Sequence, residues 1–303
     1  MYVITYVRTS SRSAPTACAV GYGPAVRFGA QVFIANGVRA AVRAAVERGC
    51  ETVQIFSSNP RGWALSPAAD DQVLKAGLAD AAISPIFLHA PYLVNIAAHD
   101  PDVYARSIAC LVHAADRARK LDGIVVVHAG RDRFRAREQT LEHAAAALKT
   151  VLKLVPRARL LVEPTSGGRG SVASTVDETA EMLDVIDDER IGVCFDTCHV
   201  HAAGHDLSTR GGAQAWIRAV GRRIGFERVG ALHVNDARDP SGSYRDRHWH
   251  IGEGTIGADG FTAVLSDRRL RHAPRILETP GDVDDDRRNL ERARALAGVR
   301  TVS

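Results

Sequence analysis

The chain has 303 residues, enough for two average domains or one barrel-sized domain. Hydrophobic residues make up 46% and charged residues 24%, which excludes disordered and fibrous classes. A formal net charge of +4 permits a nucleic-acid partner without requiring one.

The opening MYVITYV lacks a preceding basic stretch and runs into polar RTSSRS, so it makes a poor signal peptide. Residues 1–24 carry neither the helical nor the strand period and read as an N-terminal extension. The remainder, 25–303, contains no Pro/Gly/Ser linker and reads as one domain. No apolar run approaches the ~20 residues needed to cross a bilayer. Five cysteines, an odd number without tight spacing, fit reduced thiols and a cytoplasmic location.

Eight short runs read as strands: Gly29–Ala35, Thr52–Phe56, Ile86–Ala90, Gly123–Ala129, Arg159–Pro164, Ile191–Thr197, Val229–Asp236 and Arg275–Pro280. They are nearly continuous apolar runs, the pattern of parallel strands buried on both faces. Amphipathic segments separate them. Val38, Ala41, Val42, Ala45 and Val46 recur at helical spacing before Gly49, a C-terminal stop. Leu141, Ala144, Ala145, Leu148 and Leu152 repeat the pattern. Thr175 with Glu178 forms a capping-box signature, and Asp284–Leu296 supplies the last helix. This alternation predicts an α/β fold, a single-domain (β/α)8 TIM barrel. A doubly wound open sheet competes, but FGAQVFIANG holds no GxGxxG after the first strand.

In such a barrel, chemistry sits at the C-terminal ends of the strands. The third to eighth strands run into His89, His128, Glu163, Asp196, His233 and Glu278. His199 follows in DTCH, and RDRHWHIGEG adds Asp246 and His248. One histidine at a strand end is usually a hydrogen-bonded core or rim residue. Six consecutive strands ending in His, Asp or Glu are not obtained that way. Buried carboxylates need partners, and no Lys or Arg stands at these strand ends. Cations are the economical answer: mixed imidazole and carboxylate donors suit zinc, with manganese or iron also compatible. Nine side chains exceed one ion, and multi-ion clusters suit phosphoester hydrolysis.

The motifs LHAPYLVNIA, VVVHAG, LLVEPTSGGRG, CFDTCHVHAAGHDL, LHVNDARDPSGSYRDRHWHIGEGTIG and LETP resemble signature blocks of the endonuclease IV family. These are metal-dependent apurinic/apyrimidinic endonucleases, and the resemblance spans about Gly29 to Pro280. It implies three zinc ions, manganese replacing some of them in part. The first is held by His89, His128 and Glu163; the second by Glu163, Asp196, His233 and Glu278; the third by His199, Asp246 and His248. Glu163 and Glu278 are the implied catalytic pair, bridging ions and positioning a metal-bound hydroxide. SSNPRGW and HAPYLVN resemble the family's DNA-inserting loops, which places lesion contacts on Arg61 and Tyr92.

The implied activity is hydrolysis 5′ to abasic sites in double-stranded DNA, leaving a 3′-hydroxyl and a 5′-deoxyribose phosphate. Removal of blocks from 3′ ends is implied with it, by an enzyme acting as a monomer. The runner-up is a metal-dependent sugar isomerase or epimerase on the same barrel, which needs one ion and no Asp246–His248 pair. A non-catalytic damage-binding protein would be marked by missing ligands, and none is missing.

The family's GAHVS-like first strand reads GAQVF here, with Gln31 and Phe33. Glutamine hydrogen-bonds but carries no charge. His250 is expected to support a ligand, while His201 and His205 read as loop residues. Cys194 and Cys198 flank Asp196 without being required as ligands. GEG at Gly252–Gly254 reads as a turn, and Asp282–Asp286 as the opening of the last helix.

Overall fold

A computed structural model describes residues 26–299; the expected extension, residues 1–24, lies outside them. In chain order the elements are β1 (Phe28–Gln31), α1 (Val38–Glu47), β2 (Thr52–Phe56), α2 (Asp71–Asp80), β3 (Ile86–His89), α3 (Pro101–Lys120), β4 (Ile124–His128) and α4 (Arg137–Leu154). There follow β5 (Leu160–Glu163), α5 (Val176–Ile186), β6 (Ile191–Asp196), α6 (Thr197–Ala202), α7 (Arg210–Arg223) and β7 (Val229–His233). The last are β8 (Asp236–Ala237), β9 (His248–Trp249), α8 (Gly257–Leu265), β10 (Arg275–Leu277) and α9 (Val283–Leu296). Two short 3-10 turns, Phe226–Arg228 and Arg268–Leu270, precede β7 and β10.

Eight strands close into a parallel barrel in the order β1-β10-β7-β6-β5-β4-β3-β2. The chain is a (β/α)8 barrel, as its alternation predicts. Local chemistry sets the helix starts. The Asp100 carboxylate accepts the N–H groups of Asp102 and Val103, with Pro101 at the first helical position of α3. Thr175 and Glu178 form the expected reciprocal capping box on α5. Asp282 caps α9 and places Asp284, Asp285 and Asp286 in its first turn, where the helix dipole favours anions.

Strand residues alternate between the helix-facing and interior sides of the barrel. The interior holds a separate apolar plug of Phe87, Ile124, Val126, Leu161, Cys194, Ala231 and Ile276. His89, His128, Glu163, Asp196, His233 and Glu278 each stand one alternation step above a plug residue on the same strand. The strand period therefore aims all six side chains into the barrel mouth.

At three places an observed strand ends three or more residues short of the sequence reading. β1 stops at Gln31 rather than Ala35: Val32 donates one last bond to the Gln54 carbonyl, then the chain turns and leaves Phe33 66% exposed. β10 stops at Leu277, where the Glu278 N–H goes instead to the Asn235 side chain, at 2.8 Å. The seventh strand also ends early, and its continuation pairs as β8 with β9 in an antiparallel ribbon that aligns Ala237 with His248.

Candidate metal centre

All nine predicted donors converge at the mouth. Donor atoms of His89, His128 and Glu163 lie within 4.8 Å of one another, as do those of Glu163, Asp196, His233 and Glu278. Asp196, His199 and His248 form a third group. Asp246 reaches this group from the β8–β9 loop, its two oxygens 3.2 Å from His199 Nε2 and 3.2 Å from His248 Nε2. The Cys198 thiol lies in the same neighbourhood, grouped with Asp246 and His248. Burial pushes that thiol far up, so without a cation it stays protonated.

Each ring nitrogen has a defined duty. His89 donates from Nδ1 to its neighbour's carbonyl, Ala90 O, at 2.6 Å. Its Nε2 is then left to face Glu163 Oε2 at 3.1 Å. His233 donates from Nε2 to Gln54 Oε1 at 2.9 Å, which turns Nδ1 toward Glu163 Oε1 at 3.1 Å and Glu278 Oε2 at 3.3 Å. His248 donates from Nδ1 to the Glu278 carbonyl at 3.1 Å and directs Nε2 at Asp196 Oδ2, 3.3 Å away. In each ring the bound nitrogen uses the proton of the neutral tautomer. The other presents a lone pair to carboxylate oxygens, and two acceptors face each other.

Only a proton or a cation relieves that opposition. Despite the cost of burial, the surrounding carboxylates hold His89, His199 and His233 above their ordinary values, and His248 up to about 9. Burial carries His128 the other way, down to about 4. Glu163 is held well below the carboxylate range by His233 and His128, against the cost of burial. His199 Nε2 and His248 Nε2 are buried without a hydrogen-bond partner among the described residues. Orphaned imidazole nitrogens beside buried carboxylates are the donor chemistry of divalent transition-metal sites, and the residues fit such ions.

Three supporting residues are absent from the sequence reading. Gln54, fully buried on β2, accepts from His233 and donates to Glu278 Oε1 at 2.7 Å and Gln31 Oε1 at 2.9 Å. Gln31, in register with Gln54, thus serves the cluster through an amide chain. Asn235 donates to Asp196 Oδ2 at 2.6 Å. Asp236 gathers the N–H groups of Ala237, Gly252, Gly254, Ile256 and Gly257, which folds the GEG turn around one carboxylate. The signal for Gln54 and Asn235 is an amide interrupting an apolar run, as in TVQIF and HVND, where only ionisable types were sought. His250 departs from expectation. Its Nδ1 accepts from Asn289 on α9 at 3.1 Å, and among the described residues it has no hydrogen bond to any of the nine donors. His201, read as a loop residue, is instead buried in α6, where it accepts the Leu207 N–H at 3.2 Å and lies 3.3 Å from Thr255 Oγ1.

Arg61 and Tyr92 sit on the rim. Arg61 is exposed, with no carboxylate partner among the described residues, and its N–H is fixed by Asn59 Oδ1 at 3.0 Å. Tyr92 is 59% exposed, its ring edge-on to Phe56 at 5.2 Å. The Tyr92 N–H bonds the Pro60 carbonyl at 3.1 Å, so the two loops are tied together beside the cluster.

A barrel with this mouth belongs to a large class, and residues 42–298 match the family model described as a xylose isomerase-like TIM barrel. The relatives narrow it. A probable endonuclease 4 of Methanoculleus marisnigri is 39% identical over 283 residues, covering 90% of this chain and 100% of the relative. The crystal structure of endonuclease IV from Thermus thermophilus superposes with a TM-score of 0.80 at 35% identity, covering 90% of this chain and 99% of that one. The chain belongs to the endonuclease IV family. A 3-keto-D-glucoside 4-epimerase from E. coli, at 14% identity and a TM-score of 0.69, with 89% and 99% of the two chains covered, shares the fold. No helix among the described residues is long and apolar enough to cross a membrane.

Proposed function

We propose that this chain is a DNA-repair endonuclease that hydrolyses the phosphodiester 5′ to an abasic site, leaving a 3′-hydroxyl and a 5′-deoxyribose phosphate. The same chemistry would clear blocked 3′ ends. The observation that carries this reading is the undiminished nine-donor set at the mouth of an endonuclease IV barrel. Three zinc ions suit it, held as the family resemblance implies, with Glu163 shared between the first two. Divalent ions held by these residues would supply Lewis acidity for the hydrolysis.

The chain's own residues do the rest. Glu163, with a side chain 1% exposed, is walled off from solvent and serves to hold the cluster together. Glu278, at 15%, is the carboxylate that water and substrate can reach; Gln54 fixes its orientation through Oε1. Arg61 and Tyr92 project from the joined loops as wedges for the base stack. Such insertion costs least where a base is already missing. Burial against the cluster, with Glu278 and Asp246 nearby, pushes the Tyr92 phenol up to about 12, so it stays a neutral donor. The sugar-epimerase alternative leaves the His199–Asp246–His248 corner without a task.

The test is a labelled duplex bearing one tetrahydrofuran abasic analogue, which cannot β-eliminate. The expected result is a single cut immediately 5′ to the analogue, abolished by stripping with a strong chelator and restored by zinc or manganese. Absence of that cut in metal-replete protein would sink the reading.

A further inference from the structure

A basic ribbon runs along the same rim, outside the donor cluster. The segment GRDRFRAR carries Arg131, Arg133 and Arg135 on the β4–α4 loop and Arg137 at the start of α4; the β5–α5 loop adds Arg169. Asp132 organises the first loop with a buried carboxylate that accepts the Phe134 N–H at 2.9 Å and meets Arg135 at 3.4 Å. Arg137 pairs with Glu181 at 2.7 Å. Arg131, Arg133 and Arg169 are exposed and have no carboxylate partner among the described residues.

These three do not sit on loose loops. Arg131 bridges Ser171 in antiparallel fashion, Asp132 N–H bonds the Gly170 carbonyl at 2.8 Å, and Val172 N–H bonds the Gly130 carbonyl at 3.1 Å. Gly170 makes this zipper possible: its φ is +81°, and a Cβ there would lie 2.3 Å from the Asp132 carbonyl oxygen. Asn95, from the Tyr92 loop, then locks on from the other side. It donates to the Arg131 carbonyl at 2.8 Å and accepts the Arg131 N–H at 3.0 Å. Three loops thus form one track. A cleft lined by Tyr92, His128, His199, Asp246 and Arg131 leads outward from the cluster. A smaller pocket on the same two loops is lined by Asp132, Arg133, Arg135, Arg137 and Arg169.

The geometry points to a second nucleic-acid contact: the Arg131–Arg133–Arg169 ribbon binds backbone phosphates of one duplex arm, beyond the nucleotides that Arg61 and Tyr92 reach. It rests on the DNA-endonuclease reading above. Unpaired guanidiniums on a backbone held in place suit phosphate oxygens, and contacts of this kind add affinity without sequence preference.

Affinity for the tetrahydrofuran duplex would be measured by anisotropy across a salt series. The wild type would be compared with R131A/R133A/R169A and with R39A/R43A/R222A, a control that removes equal charge from exposed arginines on α1 and α7. Deleting three phosphate-binding guanidiniums should flatten the salt slope by about 2.7, at ~0.9 each, in the ribbon variant alone. Trimming one duplex arm should weaken wild-type binding and leave the ribbon variant indifferent. Equal slopes in the two variants overturn the inference while a wild-type cut keeps the endonuclease reading standing. A wild type that neither binds nor cuts overturns both.

Discussion

The base of the barrel wall and the barrel mouth handle buried charge in opposite ways. At the base, Arg275 is fully buried and held by neutral carbonyls through its terminal nitrogens, while its Nε has no partner among the described residues. Its guanidinium donates to the Ala273 carbonyl at 2.6 Å and the Arg271 carbonyl at 3.3 Å, and lies 5.8 Å from the Phe28 ring centroid. Burial pushes it down only to about 10, so it stays charged near neutrality. At the mouth, Glu163 and Asp196 are equally buried but face lone pairs of histidines rather than a permanent cation. A charge closed off by neutral carbonyls is structural. Carboxylates left facing other acceptors make a place for something that arrives from outside.

The largest effect that sharpens this contrast is expected at Glu163. Glu163→Gln keeps the shape but removes the charge that two donor groups share, and kcat/KM on the tetrahydrofuran duplex should fall by about 10³-fold or more. Bound zinc, read by elemental analysis, should fall with it. Full metal content in that variant would show that Glu163 is not a shared ligand.

A smaller effect belongs to the residues that aim the ligands. Gln54→Ala frees His233 to choose its tautomer, and Asn235→Ala frees Asp196. Each should weaken metal affinity by roughly 10–100-fold, measured by competition with a chromophoric chelator, with kcat restored at saturating metal. Unchanged affinity in both would reduce the amide chain to packing.

Least change is expected at the base. Arg275→Met replaces a buried charge held by carbonyls with an apolar chain of similar length. Stability should move by about 1–4 kcal/mol, in either direction, and metal content should stay at the wild-type level. A drop in bound metal in Arg275→Met would break the comparison, because it would mean the two ends are coupled through the barrel wall.

The barrel and its mouth were legible for one reason: period-two strands that bury both faces read as apolar runs, so an ionisable residue at the end of one is conspicuous. His89 in IFLH and Glu163 in LLVE announce themselves. Gln54 in TVQIF sends the same signal, but a search for charge passes over an amide. Pairing of Asp236–Ala237 with His248–Trp249 has no sequence period, since two residues are too few to show one. The basic ribbon was missed because three arginines in a loop look like a solvated surface until Gly170 and Asn95 are seen to hold the loop still.

The one-step offset between the apolar plug and the donor ring also bears on how such barrels diversify. Packing and chemistry occupy alternate positions of the same strands, so a donor can be exchanged without disturbing the layer beneath it. A sequence lineage can therefore trade one ligand set for another by substitution alone, with no need to refold. The epimerase that shares this barrel at 14% identity is the kind of distant neighbour that such a division of labour permits.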